Sequence, residues 1–243
     1  MGGTSPPLTA NLPELLQFRF GDRAKLATAN PGFTTSEFMS KVDPCLRWTR
    51  DLTEKTVVSD RIDDIQNQIT RLKEELIEAK RALPPEPVEN YALTRSTGES
   101  VHLADLFGEH DDMILIHNMG RGCRYCTLWA DGFVSVVPQI EQRAAFVLST
   151  PDSPAVQQEF AASRGWPFTM VSTANSTLTR DLGYEYDGSY EPGFSALHRN
   201  GDGSIVRTGR DTFGPGDDYA PIWHFFDHLQ DGANGWEPGT VSH

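Results

Sequence analysis

The feature that most constrains the fold is a C-x-x-C pair, Cys123 and Cys126, which lies between a strand-like and a helix-like segment. An apolar, extended run from Asp112 to His117 precedes the pair, and a helix-competent run from Thr127 to Arg143 follows it. Two sulfurs three residues apart in the first turn of a helix lie on one face, so they can close a disulfide with little backbone movement. This arrangement is typical of a thioredoxin-like redox motif.

The surroundings of the pair predict different roles for its two thiols. The N-terminus of a helix favours negative charge, and it therefore favours a thiolate on Cys123. Arg121 and Arg124 flank Cys123 and should stabilise the same thiolate. We therefore expect Cys123 to be the nucleophile and Cys126 the resolving thiol. They would act on a substrate disulfide or on a sulfenic acid formed by peroxide.

Two other interpretations of the pair are a zinc half-site and a pair of inert thiols. Zinc needs about four ligands, whereas the chain has three cysteines and Cys45 has no neighbouring Cys or His. His117 could supply a further ligand, but it lies on the strand that precedes the turn. Inert thiols stay open as an alternative, because a thioredoxin-like fold can persist without its chemistry. The chain would then be a non-enzymatic dimeric binding module with a degenerate thioredoxin fold. The sequence predicts no metal and no cofactor.

Charge and composition narrow the expected partners and compartment. The net charge of −13 argues against nucleic acids and anionic membranes, because both attract basic surfaces. No apolar run reaches bilayer length, and no secretory signal is evident near the N-terminus. Three cysteines cannot build a disulfide scaffold, so we expect a protein of the reducing cytoplasm. Its expected partners are a disulfide or peroxide substrate and a thiol electron donor.

The N-terminal part of the chain divides at residue 58. Residues 1–57 lack a sustained period and predict an irregular extension, either a natural disordered arm or sequence upstream of a start at Met39. Residues 58–83 predict an amphipathic helix that Pro84 and Pro85 stop. Apolar residues alternate at spacings of four and three along this helix: Val58, Ile62, Ile65, Ile69, Leu72, Leu76, Ala79 and Leu83. Such a seam can form a homodimer or pack on its own domain, and both alternatives stay open.

Residues 84–230 predict one α/β domain, which a stiff linker from Pro84 to Pro87 joins to the helix. Strands and helices alternate as far as a hairpin at Asn200 to Gly203, and a last helix follows the hairpin. The order βαβ and then ββα predicts a thioredoxin-like fold, in which helices flank a central mixed sheet, with an N-terminal helical arm added. Residues 231–243 predict a flexible tail.

Five segments together carry a resemblance to a known family. They are Gly122 to Phe133, Lys80 to Pro84, Leu103 to Phe107, Pro192 to Ser195 and Arg199 to Gly203. On these segments the chain, over about residues 55–230, resembles the DUF899 family of thioredoxin-like proteins, which is related to the peroxiredoxins and the AhpC/TSA group.

The resemblance implies a thioredoxin-like site with several departures. Thioredoxins often hold a buried acid at the strand position of His117, so a histidine there would be a base or proton shuttle near neutral pH, or else a core residue bonded to backbone. Pro192 precedes a strand, as does the cis-proline of thioredoxins, and would position substrate, or else it is an ordinary trans proline in a loop. Gly122 replaces the thioredoxin tryptophan, which argues against a general protein-disulfide reductase. Gly120 replaces the peroxiredoxin threonine, which argues against an efficient peroxidase.

Overall fold

The computed structural model of the chain describes residues 35–239, with side chains for residues 57–239. By its internal contacts the chain divides between Glu74 and Glu75 into two units. Within the described part of the chain, no helix has both the length and the apolar character that crossing a membrane requires.

Helix α1 spans Thr35–Arg81 and is 47 residues long. The prediction that residues 35–57 are irregular is wrong, because the predicted start relied on apolar periodicity, which begins only at Val58. A helix can continue through residues of adequate helix propensity without an apolar seam. Residues 1–34, the rest of the predicted irregular extension, lie outside the described residues. The helix ends as predicted just before Pro84 and Pro85.

Ten strands and five further helices follow α1 in the part of the chain that the structure describes, as far as residue 239. The strands are β1 Glu86–Val88, β2 Ala92–Arg95, β3 Ser100–His102, β4 Asp112–His117, β5 Ala145–Thr150, β6 Thr169–Ser172, β7 Glu185–Tyr186, β8 Ser189–Tyr190, β9 Gly193–Arg199 and β10 Ile205–Thr212. The helices are α2 Arg124–Phe133, α3 Val137–Ile140, α4 Pro154–Arg164, α5 Leu178–Asp181 and α6 Ile222–Phe226, with a 3-10 helix at Leu103–Phe107. The helix expected to run on to Arg143 is thus divided, with Pro138 in the first turn of α3, where its missing N–H is tolerated.

Eight strands form one mixed sheet in the order β1-β10-β9-β4-β5-β6-β2-β3. Strands β4, β5 and β6 are parallel, whereas β9 runs antiparallel to β4 and β10 antiparallel to β9. The β4–α2–β5 unit and the β9–β10–α6 unit therefore meet in the central order β5-β4-β9-β10. This arrangement confirms the predicted thioredoxin-like fold.

The two faces of the sheet bury separate apolar clusters. Successive side chains of a strand point to opposite faces, so Met113 and Leu115 of β4 join one cluster and Ile116 joins the other. Helix α2 packs on the face of Ile116 through Trp129 and Phe133. The C-x-x-C pair is therefore held against the sheet by the buried side of α2.

Two segments predicted to lie outside the sheet and core are part of the packed structure. The Pro84–Pro87 linker passes into β1, in which Pro87 pairs with Val206 of β10 at the edge of the sheet, where a proline is tolerated. The predicted tail from residue 231 is packed, because Trp236 lies 5.0 Å from Phe226 between ring centres and 6.0 Å from Trp223. The contacts of Trp236 contradict the prediction of a flexible tail for residues 231–239. Residues 240–243 lie outside the described residues.

Candidate active site

The C-x-x-C pair lies at the carboxyl end of β4, where the chain leaves the sheet toward α2. The N–H of Asn118 donates to the carbonyl of Ser149 at 2.9 Å, which extends the β4–β5 pairing by one residue. The side-chain amide of Asn118 accepts from the N–H of Gly120 at 2.8 Å and donates to the carbonyl of Cys126 at 3.4 Å. Asn118 thus ties the turn to the first turn of α2.

Gly120 and Asp152 fix the shape of the turn before Cys123. Gly120 has a φ of 98°, and a Cβ atom there would lie 2.9 Å from a carboxylate oxygen of Asp152. That carboxylate accepts a hydrogen bond from the N–H of Arg121 at 2.7 Å, and the carbonyl of Gly120 accepts one from the N–H of Cys123 at 3.0 Å. The position therefore needs a glycine for both its backbone angle and its close neighbour.

Cys123 is the N-cap of α2. Its φ of −90° and ψ of 107° are extended, and its sulfur accepts a hydrogen bond from the N–H of Cys126 at 3.1 Å. The structure thereby confirms that the first sulfur lies at the start of a helix that follows a strand, in line with the sequence pattern. A sulfur in the N-cap position takes the place of the oxygen that normally satisfies a free N–H there.

The two thiols have pKa values shifted in opposite directions. A hydrogen bond from the Cys126 thiol, aided by the backbone N–H groups of Cys126 and Tyr125, lowers the pKa of Cys123 to about 6 although burial opposes this. The same hydrogen bond to Cys123, together with burial and the charge of Cys123, raises the pKa of Cys126. The favoured reduced state is therefore a thiolate on Cys123 beside a protonated Cys126.

Exposure also separates the two thiols. Cys123 is half-buried, whereas Cys126 is 2% exposed. Cys126 lines a small apolar void with no room for a water molecule, together with Ile116, His117, Asn118, Trp129, Ala130, Phe133, Pro192 and Phe213. A substrate can therefore approach Cys123 but not Cys126, which agrees with the roles expected for a nucleophile and a resolving thiol.

The two flanking arginines have partners other than the thiolate. The guanidinium of Arg124 forms an ion pair with Glu237 at 2.8 Å, and both side chains are more than half exposed. Arg121 is exposed, and its backbone N–H is held by Asp152. The hydrogen bonds from Cys126 and Tyr125 account for the lowered pKa of Cys123. A contribution from Arg121 and Arg124 stays a prediction.

His117 is buried in a network separate from the sulfurs. Its Nε2 lies 3.0 Å from the hydroxyl of Ser195, and its ring stacks on Tyr184 with centres 3.9 Å apart. Its Nδ1 is buried and has no hydrogen-bond partner, so it is not bonded to Cys126. Burial, and after it the charge of Arg207, lowers the pKa of His117 to about 3. Burial therefore favours the neutral imidazole, and a role for His117 as a base or proton shuttle near neutral pH stays a prediction.

Pro192 does lie beside Cys126, as expected from its place before β9. It lines the same void as Cys126, and its carbonyl accepts a hydrogen bond from the N–H of Phe213 at 2.8 Å. All peptide bonds among the described residues are trans, so of the two alternatives for Pro192 the structure has the trans proline and not the cis-proline. Its role in positioning a substrate stays a prediction.

The sequence reasoning missed Asn118 and Asp152, which shape the turn. Asn118 could have been found, because an Asn followed two residues later by Gly is a common turn pattern. Asp152 follows β5, whose carboxyl end lies beside that of β4. The proximity of Asp152 to the turn can be predicted only when the order of the strands in the sheet is known. Among the described side chains, no group of three or more His, Cys, Asp or Glu is placed to hold a metal ion.

Comparisons with known proteins agree with the resemblance expected from the sequence. A family model described as "Bacterial protein of unknown function (DUF899)" matches residues 64–238. No curated protein matches the chain.

Several solved structures show a weak similarity. The peroxidoxin BcpB from Mycobacterium tuberculosis is 20% identical, with 53% of this chain and 80% of that chain covered and a TM-score of 0.41. A cysteine-to-serine mutant of PrxQ from Xylella fastidiosa is 16% identical, with 53% and 84% covered and a TM-score of 0.46. Reduced Prx3 from Vibrio vulnificus in complex with H2O2 is 15% identical, with 56% and 90% covered and a TM-score of 0.44. The fold assignment rests on the strand order and not on these similarities.

Proposed function

We propose that this chain, which belongs to the DUF899 family of bacterial proteins, is a thiol–disulfide oxidoreductase. The proposal is inferred from the geometry of the C-x-x-C site, because the family description names no reaction. The observation that supports this most directly is the pair of a half-buried Cys123, whose sulfur accepts a hydrogen bond from the N–H of Cys126, and a buried Cys126. Such a pair has one thiol ready to attack and a second within reach to close the disulfide.

The proposed reaction has two steps. The Cys123 thiolate attacks one sulfur of a substrate disulfide, forms a mixed disulfide and releases the other sulfur as a thiolate that takes a proton from water. Cys126 then loses its proton and attacks the Cys123 sulfur, and the second substrate thiolate leaves. The substrate disulfide is reduced to two thiols, and the Cys123–Cys126 pair is oxidised to a disulfide. A thiol electron donor restores the pair, as expected for a protein of the reducing cytoplasm.

Mass spectrometry after mild oxidation tests the proposal. In a Cys45→Ser background, diamide should remove two hydrogens and link the peptides that contain Cys123 and Cys126. Cys123→Ser and Cys126→Ser are the matched controls, and neither can form the intramolecular bond. Free thiols at both positions after oxidation of the parent would show that the pair is inert and that a degenerate fold without redox chemistry is correct.

The reduction potential of the pair decides the direction of electron flow. A value near about −270 mV is that of a reductase such as thioredoxin, whereas a value near about −120 mV is that of a strong oxidant. The low pKa of Cys123 stabilises the reduced form, because it lets the thiolate persist at neutral pH, and this shifts the pair toward the oxidising end.

A weak thiol peroxidase is a second candidate, favoured by the place of Cys126 beside Cys123. Here the Cys123 thiolate takes one oxygen from a peroxide to form a sulfenic acid, and an alcohol or water leaves. Cys126 condenses with the sulfenic acid, forms the same disulfide and releases water. In a Cys45→Ser background, a sulfenic-acid trap should label Cys126→Ser after peroxide and leave the parent unlabelled. Because the serine hydroxyl keeps a donor beside Cys123, no labelling of Cys126→Ser would exclude this chemistry while leaving the disulfide reaction untouched.

A further inference from the structure

Helix α1 carries an apolar seam whose side chains are exposed. Six of its members are Val58, Ile62, Ile65, Ile69, Leu72 and Leu76. Their exposed fractions lie between 45% for Ile65 and 62% for Leu72. A helix in a globular protein normally turns its apolar stripe to a core, and an exposed contiguous stripe marks an interaction site.

The spacing of the seam identifies the kind of partner it fits. The spacings are four, three, four, three and four, so the seam is the narrow two-position stripe of a coiled coil, with Ile62, Ile69 and Leu76 at the a positions. Ile69 at a and Leu72 at d have the combination that favours two strands. Ile62 and Ile65 place isoleucine at both positions, which favours three or four strands, so a measurement of mass decides the number of copies. The natural partner for such a seam is another helix with the same repeat.

Charges beside the seam are complementary when two identical helices lie parallel and in register. Glu75 at the g position of one helix then faces Lys80 at the e position of the other. The other facing positions are Arg61 with Gln66 and Gln68 with Lys73, so no like charges meet. Lys80 also contacts Asp211 of its own chain at 2.6 Å. An ammonium group has three donors, so both contacts can form.

We propose that two copies of this chain associate through the α1 seam as a parallel, in-register coiled coil. This pairing buries the six exposed apolar residues of each copy against their equivalents. It also gives the long helix a tertiary contact, which a helix needs for stability more than it needs propensity. The interface lies outside the C-x-x-C site, and the proposal does not depend on the redox function.

Sedimentation of the full chain tests the interface. The wild type should sediment at twice the single-chain mass of 27.0 kDa, and Ile69→Glu with Leu72→Glu should sediment at the single-chain mass. Asn67→Glu with Thr70→Glu, at the same spacing on the exposed outer face, is the matched control and should stay at twice the mass. A wild type with one or three copies, or a seam variant that stays at twice the mass, would overturn the proposal.

Cross-linking tests the direction of the helices and does not require the seam variant to fold. In a chain whose native cysteines are changed to serine, Ile62→Cys should form a disulfide between two copies upon mild oxidation, because equivalent a positions face each other only in a parallel pair. Asn67→Cys on the outer face should give at least tenfold less linked product. Equal linking of the two variants, or none at Ile62→Cys, would contradict the parallel arrangement.

Discussion

The backbone N–H of Cys126 donates a hydrogen bond to the sulfur of Cys123 at 3.1 Å. The Cys126 thiol adds a second hydrogen bond to the same sulfur, and this bond is the largest cause of the lowered pKa of Cys123. The residue proposed to resolve the mixed disulfide therefore also activates the nucleophile beforehand. Both roles belong mainly to the thiol of Cys126, and Cys126→Ser can separate them because it removes the resolving sulfur and keeps a side-chain donor.

Removing the thiol of Cys126 should raise the pKa of Cys123 from about 6 toward its ordinary value of 9.0. Cys126→Ala removes the side-chain donor and keeps the backbone N–H, whereas Cys126→Ser keeps a hydroxyl donor at the same place. The pH dependence of alkylation of Cys123 by iodoacetamide gives the pKa directly, in a Cys45→Ser background. We expect the pKa in Cys126→Ser to lie below that in Cys126→Ala. Equal values would show that the backbone and the helix end, rather than the thiol, set the pKa.

Replacing Arg124 should have a smaller effect on Cys123 than replacing Cys126. The guanidinium of Arg124 pairs with Glu237 at 2.8 Å on the exposed surface, where solvent and salt screen its charge. Alkylation of Arg124→Gln against pH should therefore give a midpoint near that of the wild type, with Glu237→Gln as the control that frees the arginine. A shift as large as that of Cys126→Ala would show that Arg124 stabilises the thiolate, as the sequence predicts, in spite of its pairing with Glu237.

Local patterns in the sequence were sufficient for the core of the fold and for the cysteine pair. The buried run of β4, the turn and the start of α2 are adjacent in sequence, so their order already places both sulfurs at the end of a strand. The alternation of strands and helices then predicts the βαβ and ββα units. The start of α1 was missed because residues 35–57 form a helix without the apolar period on which the prediction relied.

Contacts between distant parts of the chain could not be predicted in the same way. His117 meets Ser195 across 78 positions, and Arg207 adds its charge from a third strand. A histidine at the end of a strand has no local signal that it will be buried and neutral. Glu237 likewise contacts Arg124 across 113 positions of the sequence. The glycine-rich composition of the predicted tail gives no local signal for this contact.

Gly120→Ala should disturb the turn that holds Cys123, while Gly122→Ala should not. An alanine at position 120 would have to adopt a φ of 98° and would place its Cβ atom 2.9 Å from the carboxylate of Asp152. The backbone strain alone costs about 1–3 kcal/mol. Gly122 has an ordinary φ and no atom within 4 Å of an added Cβ, so it is a matched control in the same turn.

Urea unfolding and the alkylation rate of Cys123 measure the two consequences of the Gly120→Ala substitution. We expect Gly120→Ala to lower the free energy of unfolding by about 1–3 kcal/mol and to slow alkylation. Gly122→Ala should stay within about 0.5 kcal/mol of the wild type. Equal stability of the two variants would mean that Asp152 moves aside at no cost and that the turn tolerates a side chain.

The burial of His117 should lower the free energy of unfolding of the protein in mild acid. Burial lowers its pKa in the folded chain to about 3, below the ordinary value of 6.5 that the unfolded chain retains. Between these two values the unfolded chain binds more protons, so the free energy of unfolding falls as the pH is lowered through this window. The limiting slope is about 1.4 kcal/mol per pH unit, and above the upper value the histidine contributes no pH dependence.

Urea unfolding between about pH 5 and pH 6.5, where most carboxylates stay ionised, isolates the slope that His117 contributes. His117→Asn keeps a polar group beside Ser195 and cannot titrate in this range, so its slope should be smaller by about 1 kcal/mol per pH unit. The imidazole resonances of His117 should not shift over the same pH range in the folded protein. A His117 that titrates near pH 6.5 in the folded chain would show that the ring is open to solvent and available as the proton shuttle that the sequence suggested.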